Sequence, residues 1–225
     1  VRRKTILMIL KHWALVGGAV ACLNSFSVLA APWLEPGDAR ARFAVQKLAD
    51  RGEMNRGVTT WPLMWSAVQS SRGFASTANE PSSALASAYL RFEMEEQARS
   101  GFRGEFNLNA QTEIPGITGF GSNSLAKAGT SVNLQWQGEA WALGLRPAYA
   151  HDPDDDEEIR LDGSYLAGTL GNWVFGAGAI DRWWGPGWQS SLILSNNARP
   201  IPSVWMNRKD THAPESSWLS WLGPW

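Results

Sequence analysis

The sequence of 225 residues predicts a mainly β chain with a small α part: helices first, then an antiparallel sheet. Three observations carry this. Apolar residues recur at helical spacing up to about residue 100 and then alternate with polar ones in a period of two. The alternating segments are near ten residues long, which suits a tilted strand crossing a bilayer. Their connections are alternately long and tight, as in barrels of the bacterial outer membrane. A soluble sandwich with one wet face gives the same alternation, so periodicity alone leaves both architectures open.

Residues 1–30 read as an export signal. Arg2, Arg3 and Lys4 form a cationic start and an apolar run extends from Trp13 to Leu23. Val28-Leu29-Ala30 has the small residues of a cleavage site, with the cut expected after Ala30. The apolar run is too short to span a bilayer comfortably as a helix. The single cysteine, Cys22, lies in this leader, which argues against a disulfide framework or a cysteine-based zinc site. With 20 basic residues against 21 acidic ones, the chain is not a general nucleic-acid binder. Losing Arg2, Arg3, Lys4 and Lys11 with the leader makes the remainder distinctly acidic, which argues against a polybasic membrane-surface mechanism.

Three short helices are predicted over residues 31–100. The first runs from near Asp38 to Arg51, with Ala41, Val45, Leu48 and Ala49 in one stripe and Gly52 beyond its end. The second places Pro62 in its first turn, with Trp61, Trp65 and Val68 along one side. The third covers residues 82–99, with Leu85, Ala88, Tyr89 and Phe92 as its packing stripe. These faces are read as helix packing and not as ligand sites.

Beyond residue 100 the segment 102–111 alternates Phe102, Gly104, Phe106, Leu108 and Ala110 with polar neighbours. Val132, Leu134 and Trp136 do the same within 131–137. Further strands are expected at 140–150, 158–169 and 172–181, the last with Trp173, Phe175, Ala177 and Ala179 on one face. The links are long (112–130), tight (138–139), medium (151–157), tight (170–171) and very long from Asp181 onward. In a barrel the tight links are periplasmic and the long ones external.

Side chains that carry chemistry are few. The run Asp152, Asp154, Asp155, Asp156, Glu157 and Glu158 has the carboxylates of a divalent-cation site but lacks the spaced ligands and glycine of a calcium loop, so it reads as a solvated turn. His151 and His212 are the only histidines after the leader, too few for a histidine-rich metal site. No phosphate loop, dinucleotide fingerprint, HExxH or nucleophile elbow is present, so no catalytic residue, cofactor or metal is assigned.

Tryptophan stands out instead, with 14 residues beside 3 tyrosines. Indole suits places where an apolar ring keeps a polar edge, such as membrane interfaces and saccharide platforms. Trp136, Trp141 and Trp173 fall in strands, where a lipid-facing role is natural. The densest cluster is Asp181-Arg182-Trp183-Trp184-Gly185-Pro186-Gly187-Trp188, continuing to Asn196, Asn197 and Arg199. Glycine and proline fix a tight turn that gathers three indoles. Sugar faces stack on Trp183, Trp184 and Trp188, while Asp181, Arg182, Asn196, Asn197 and Arg199 hydrogen-bond hydroxyls or acidic groups. The same residues equally suit a loop that plugs the lumen, with Asp181 and Arg182 paired structurally.

Three stretches, PWLEPGDARARFAVQKLADRG (32–52), TTWPLMW (59–65) and DRWWGPGWQSSLILSNNARPIPS (181–203), resemble the Wzi family of capsule-assembly proteins. The resemblance implies an outer-membrane β-barrel of roughly eighteen strands with a helical bundle at its periplasmic end. It implies a surface lectin that binds exported capsular polysaccharide and organises it on the cell, with no catalytic residues to carry over. The expected organisation is a signal peptide at 1–30, a periplasmic helical bundle or plug at 31–100, and the first five or six strands of a truncated large barrel at 101–225. Expected partners are capsular polysaccharide and outer-membrane lipid, with no nucleic acid and a monomeric barrel. The alternatives are a transport barrel and a secreted glycan-degrading enzyme.

Overall fold

The computed structural model describes residues 33–54, 57–70, 81–121 and 125–210. The leader, His212, Trp218, Trp221 and Trp225 lie outside the described residues.

Strand β1 (Trp33–Leu34) leads into helix α1 (Ala39–Asp50). Asp38 caps the helix, its Oδ1 accepting from the amides of Arg40 at 2.8 Å and Ala41 at 3.0 Å. Two amides that the helix itself cannot satisfy are thereby paired. The expected stripe is buried at Ala41, Val45 and Leu48, and Gly52 takes a φ of +69° just past the end, a conformation that costs glycine little.

The next segment corrects an expectation. Strand β2 (Thr60–Trp61) and strand β3 (Leu63–Met64) flank Pro62, which follows a cis peptide bond, and helix α2 begins only at Trp65 (Trp65–Gln69). Pro62 therefore joins two short strands and starts no helix, because β3 finds backbone partners in β1, pairing Leu63 with Leu34. Trp61, Trp65 and Val68 are nonetheless fully buried together.

Helix α3 (Pro81–Ala98) forms where expected but turns over. Its buried face is Ser83, Ala86, Ser87 and Leu90, whereas Leu85 is 74% exposed and Phe92 57%. Size decides the face. Small side chains let α3 lie close against α1, and the Tyr89 hydroxyl donates to Asp38 Oδ2 at 2.7 Å.

Eight strands then form one sheet. They are β4 (Gly101–Ala110), β5 (Ala126–Gln137), β6 (Trp141–Leu145), β7 (Ala148–Pro153), β8 (Ile159–Arg160), β9 (Tyr165–Leu170), β10 (Trp173–Gly178) and, after the two-residue β11 (Trp183–Trp184), β12 (Ser203–Arg208). All pairings are antiparallel. Strand β5 pairs with both β6 and β7 in one unbroken register, so these two are halves of a single long strand. β8 and β9 likewise run along β7 and β6. The result is a meander of six long strands, each beside its sequence neighbour, open at β4 and β12 among the described residues.

Between Ala148↔Arg160 and Gly144↔Tyr165 the pairing slips by one residue. Residues 161–164 therefore hold a β-bulge, which re-aims the side chains near it. Gly163 sits there at φ +86°, and a Cβ on it would meet Arg146 Nη1 at 2.7 Å.

The sheet has two distinct faces. Phe102, Phe106, Leu108, Trp136, Trp141, Leu143, Leu166, Phe175, Val204 and Met206 are exposed on one side. Their cross-strand neighbours, such as Phe102↔Trp136, Leu143↔Leu166 and Phe175↔Met206, join them into a continuous apolar band. The other face carries Ala142, Tyr165, Ala167 and Val174 and is covered by Trp33 and Ile180. Glu35 reaches the wall there, where Arg146 donates Nη2–H to Glu35 Oε2 at 3.1 Å. The helical segment thus packs on the inner face of the arc, in one piece with it.

Candidate functional site

The tryptophan-rich segment leaves the sheet early. Alternation predicts a strand to residue 181, but β10 stops at Gly178, whose φ of +151° and contact with Ser164 O admit no side chain. The chain turns inward there. Ile180 is buried against Trp33, and Trp183 pairs with Trp61, so that β11 and β2 form a small two-stranded sheet with the helical segment. Gly185 N–H donates to Thr59 O at 2.9 Å, and Leu192 N–H to Trp184 O at 3.1 Å, closing the turn between them.

This two-residue strand sorts its indoles to opposite sides. Trp183 is fully buried, donating Nε1–H to Gly187 O at 3.1 Å and meeting Phe120 edge-on at 5.7 Å. Trp184 and Trp188 keep 38% and 37% of their surface exposed. Arg182 is half-buried, donating to Ser203 Oγ at 2.9 Å and lying 5.6 Å from the Trp205 ring. Desolvation lowers its pKa.

The other candidates fasten loops. Asn197 Oδ1 accepts from Thr118 N at 2.5 Å and from Thr118 Oγ1 at 2.7 Å. Asn196 donates Nδ2–H to Phe120 O at 3.1 Å, while its Oδ1 is buried without a hydrogen bond. Arg199 grips Asp162 with Nε at 2.7 Å and Nη2 at 3.1 Å, and reaches Asp155 at 3.4 Å. Those carboxylates hold its pKa up, with the Asp162 hydrogen bond the main cause. Asp181 forms no pair with Arg182. Burial pushes its carboxyl up to about 6, against the pull of Arg146 and with Glu35 and Asp162 adding.

Two carboxylates of the acidic run pair with neighbouring cations. Asp152 pairs with Lys127, and Asp155 with Arg160 and Arg199. Among the described residues no group of three or more acidic, histidine or cysteine side chains is placed to hold a metal ion.

Beside Trp184 a cleft of about 1120 Å³ opens between β12 and the segment around β2. Trp184, Trp205 and Trp173 line it with Arg182, Arg208, Asn207 and Thr60, and among the described residues its lining includes no aspartate or glutamate. Indole faces suit the C–H faces of sugar rings, and guanidinium groups suit their hydroxyls and carboxylates. Sequence reading missed Thr60, Trp205, Asn207 and Arg208 as part of this wall. The alternation of Trp205 with Val204 and Met206 was the available signal.

The model of the family described as capsule assembly protein Wzi matches residues 97–225. A Klebsiella pneumoniae protein described only as an uncharacterized 55.8 kDa protein in the cps region is 28% identical over 190 residues, 79% of this chain and 35% of that protein. A solved structure, described as Wzi, an outer membrane protein involved in group 1 capsule assembly in Escherichia coli and a carbohydrate-binding β-barrel, superposes with a TM-score of 0.69. The identity is 27%, over 86% of this chain and 44% of that one. The chain spans less than half the length of either relative.

Proposed function

The chain belongs to the Wzi family of capsule assembly proteins, and on that premise we propose that it forms part of an outer-membrane barrel that binds capsular polysaccharide and helps hold it at the cell surface. The observation that carries the reading is the cleft: Trp184, Trp205 and Arg182 border one space, and among the described residues its lining includes no carboxylate. Hydrolysis of a glycosidic bond by the usual route needs two carboxyl groups flanking it. A site lined this way suits holding a glycan. The apolar band on the outer face of the sheet supports contact with lipid, the plug-facing side supports a filled lumen, and residues 1–30 supply the export signal.

The test is titration of purified capsular polysaccharide onto the full chain folded in lipid. Binding is expected to weaken at least tenfold, about 1.4 kcal/mol, when Trp184 and Trp205 are both changed to Ala. Undiminished binding in that variant removes the cleft from the site. No binding by the unaltered protein, together with steady conductance in planar bilayers, replaces this reading with a transport barrel.

A further inference from the structure

One buried cation plays no part in the cleft. Arg42 lies within the apolar stripe of α1 and is 2% exposed. Its Nη2 donates to the carbonyls of Pro186 and Gly187 at 2.9 Å each and lies 3.4 Å from that of Gly185. Its guanidinium carbon is 4.3 Å from the centroid of Phe120, 4.7 Å from Trp188 and 5.7 Å from Trp183. Nε and Nη1 are buried without hydrogen bonds, and no carboxylate pairs with the group among the described residues. A guanidinium buried in this way is poor stabilisation for a fold, since its lost hydration is only partly returned. Its geometry is nonetheless specific: one planar group meets three successive carbonyls and three aromatic rings from two different loops.

The two loops converge here. Phe120 belongs to the β4–β5 connection and donates its amide to Trp188 O at 2.7 Å. A Cβ at Gly119 would strike the same carbonyl at 2.8 Å. Asn196 and Asn197 fasten the two connections a second time, through Phe120 O and Thr118. From the helical segment, Arg42 reaches this junction out of α1, beside Trp61, whose ring meets Phe120 at 5.0 Å, and Thr59, whose carbonyl accepts from the Gly185 amide.

We infer that Arg42 is a positioning residue: from α1 it holds the Gly185-Pro186-Gly187 turn down, and with it sets Trp184 and Trp188 in the posture that serves the ligand. Its consequence for the ligand rests on the carbohydrate-binding reading; its hold on the turn does not. Lysine is no full substitute: one nitrogen serves all the carbonyls, which an ammonium can also do, but an ammonium lacks the plane that lies against the rings.

The experiment attaches a nitroxide at Ser190→Cys, with Cys22→Ser, in the full chain folded in lipid. Spin-label mobility is compared for Arg42, Arg42→Lys and Arg42→Met, alongside polysaccharide affinity and the unfolding midpoint. With Arg42 the label is expected to be immobilised. Both variants are expected to show a faster component and an affinity lowered about tenfold, while Arg42→Met leaves the unfolding midpoint within a few degrees. That combination separates positioning from bulk stability. An unchanged spectrum in Arg42→Met overturns the hold on the turn. A mobile label with unchanged affinity overturns its consequence for the ligand. If the unaltered protein binds no polysaccharide, the proposed function fails, while the spectra still decide the hold. Should Arg42→Met not assemble, Phe120→Leu, which withdraws one ring and leaves α1 intact, is expected to loosen the label by a smaller step; no loosening overturns the inference.

Discussion

Trp183 and Trp184 are neighbours in sequence with opposite surroundings, so replacing each with Ala separates folding from recognition. Trp183 is fully buried, bonded to Gly187 O and packed edge-on against Phe120. Truncation leaves an enclosed space the size of an indole, and deletions of this kind cost about 3–5 kcal/mol. The lost hydrogen bond, about 1 kcal/mol, and the ring contact, about 0.5–1.5 kcal/mol, fall within that total. Trp184 is 38% exposed and borders the cleft. The space it leaves opens to solvent, so its removal costs at most about 2 kcal/mol of apolar burial. The assay is urea unfolding of each variant in lipid vesicles, with polysaccharide titration in parallel. Trp183→Ala is expected to give a large drop in unfolding midpoint. Trp184→Ala is expected to give a small drop and an affinity lowered about tenfold, or 1.4 kcal/mol. Equal destabilisation by the two variants, or an unmoved midpoint in Trp183→Ala, refutes the division.

Two further outcomes follow from charge and from the faces of the sheet. The Asp181 carboxyl, raised by burial to about 6, keeps its proton in the folded chain while the unfolded chain releases it near about pH 4. Stability conferred by the protonated form is therefore complete at low pH, falls between about pH 4 and 6, and is level above. Asp181→Asn is expected to abolish that fall, about 3 kcal/mol, in unfolding midpoints taken at each pH; parallel curves for both proteins defeat the assignment. Leu166 stands on the apolar band, and Leu166→Arg is expected to cost about 2–4 kcal/mol on insertion into vesicles. Asn133, on the opposite face and paired with Glu105, is expected to tolerate arginine; equal losses at the two positions place the lipid elsewhere.

The strands were legible because an apolar outer face and a polar or packed inner face impose a period of two that survives in the sequence. Tight links stand at Gly138 and Gly171, and the strands expected at 102–111, 140–150 and 158–169 lie within a few residues of their limits, whereas β5 starts at Ala126 and not at 131, and β12 forms in a stretch read as a long connection. Two backbone events were hidden. The bulge at 161–164 inserts one residue without disturbing composition, so 158–169 reads as a single strand. The apolar alternation of Trp173, Phe175 and Ala177 continues to Ala179, whereas β10 ends at Gly178 because the chain there must turn under Ser164. In α3 the error was of another kind. Hydropathy favours Leu85 and Phe92, but close helix packing selected Ser83, Ala86 and Ser87. A packing stripe is chosen by volume as well as by polarity.

The candidate loop was legible as chemistry and not as geometry. Gly185-Pro186-Gly187 announced a turn, yet nothing local states which indole points inward; the pairing of β11 with β2, more than a hundred residues away, decides that. Arg42, Phe120 and Thr118 were missed for the same reason. The one available signal was a cation at position 42 inside the stripe Ala41, Ala44, Val45 and Leu48, where an ordinary core helix places an apolar residue. From Ala179 to Pro202 the connection has almost no regular structure, and a segment that long stays ordered only if something outside it supplies partners. Here the partners are Thr59, Trp61 and Arg42 from the helical segment and Thr118 and Phe120 from the neighbouring loop. The conformation of the loop is therefore a property of the helical segment as much as of its own sequence. Substitution of Arg42 in α1, far from the cleft in sequence, is expected to alter how Trp184 is presented there.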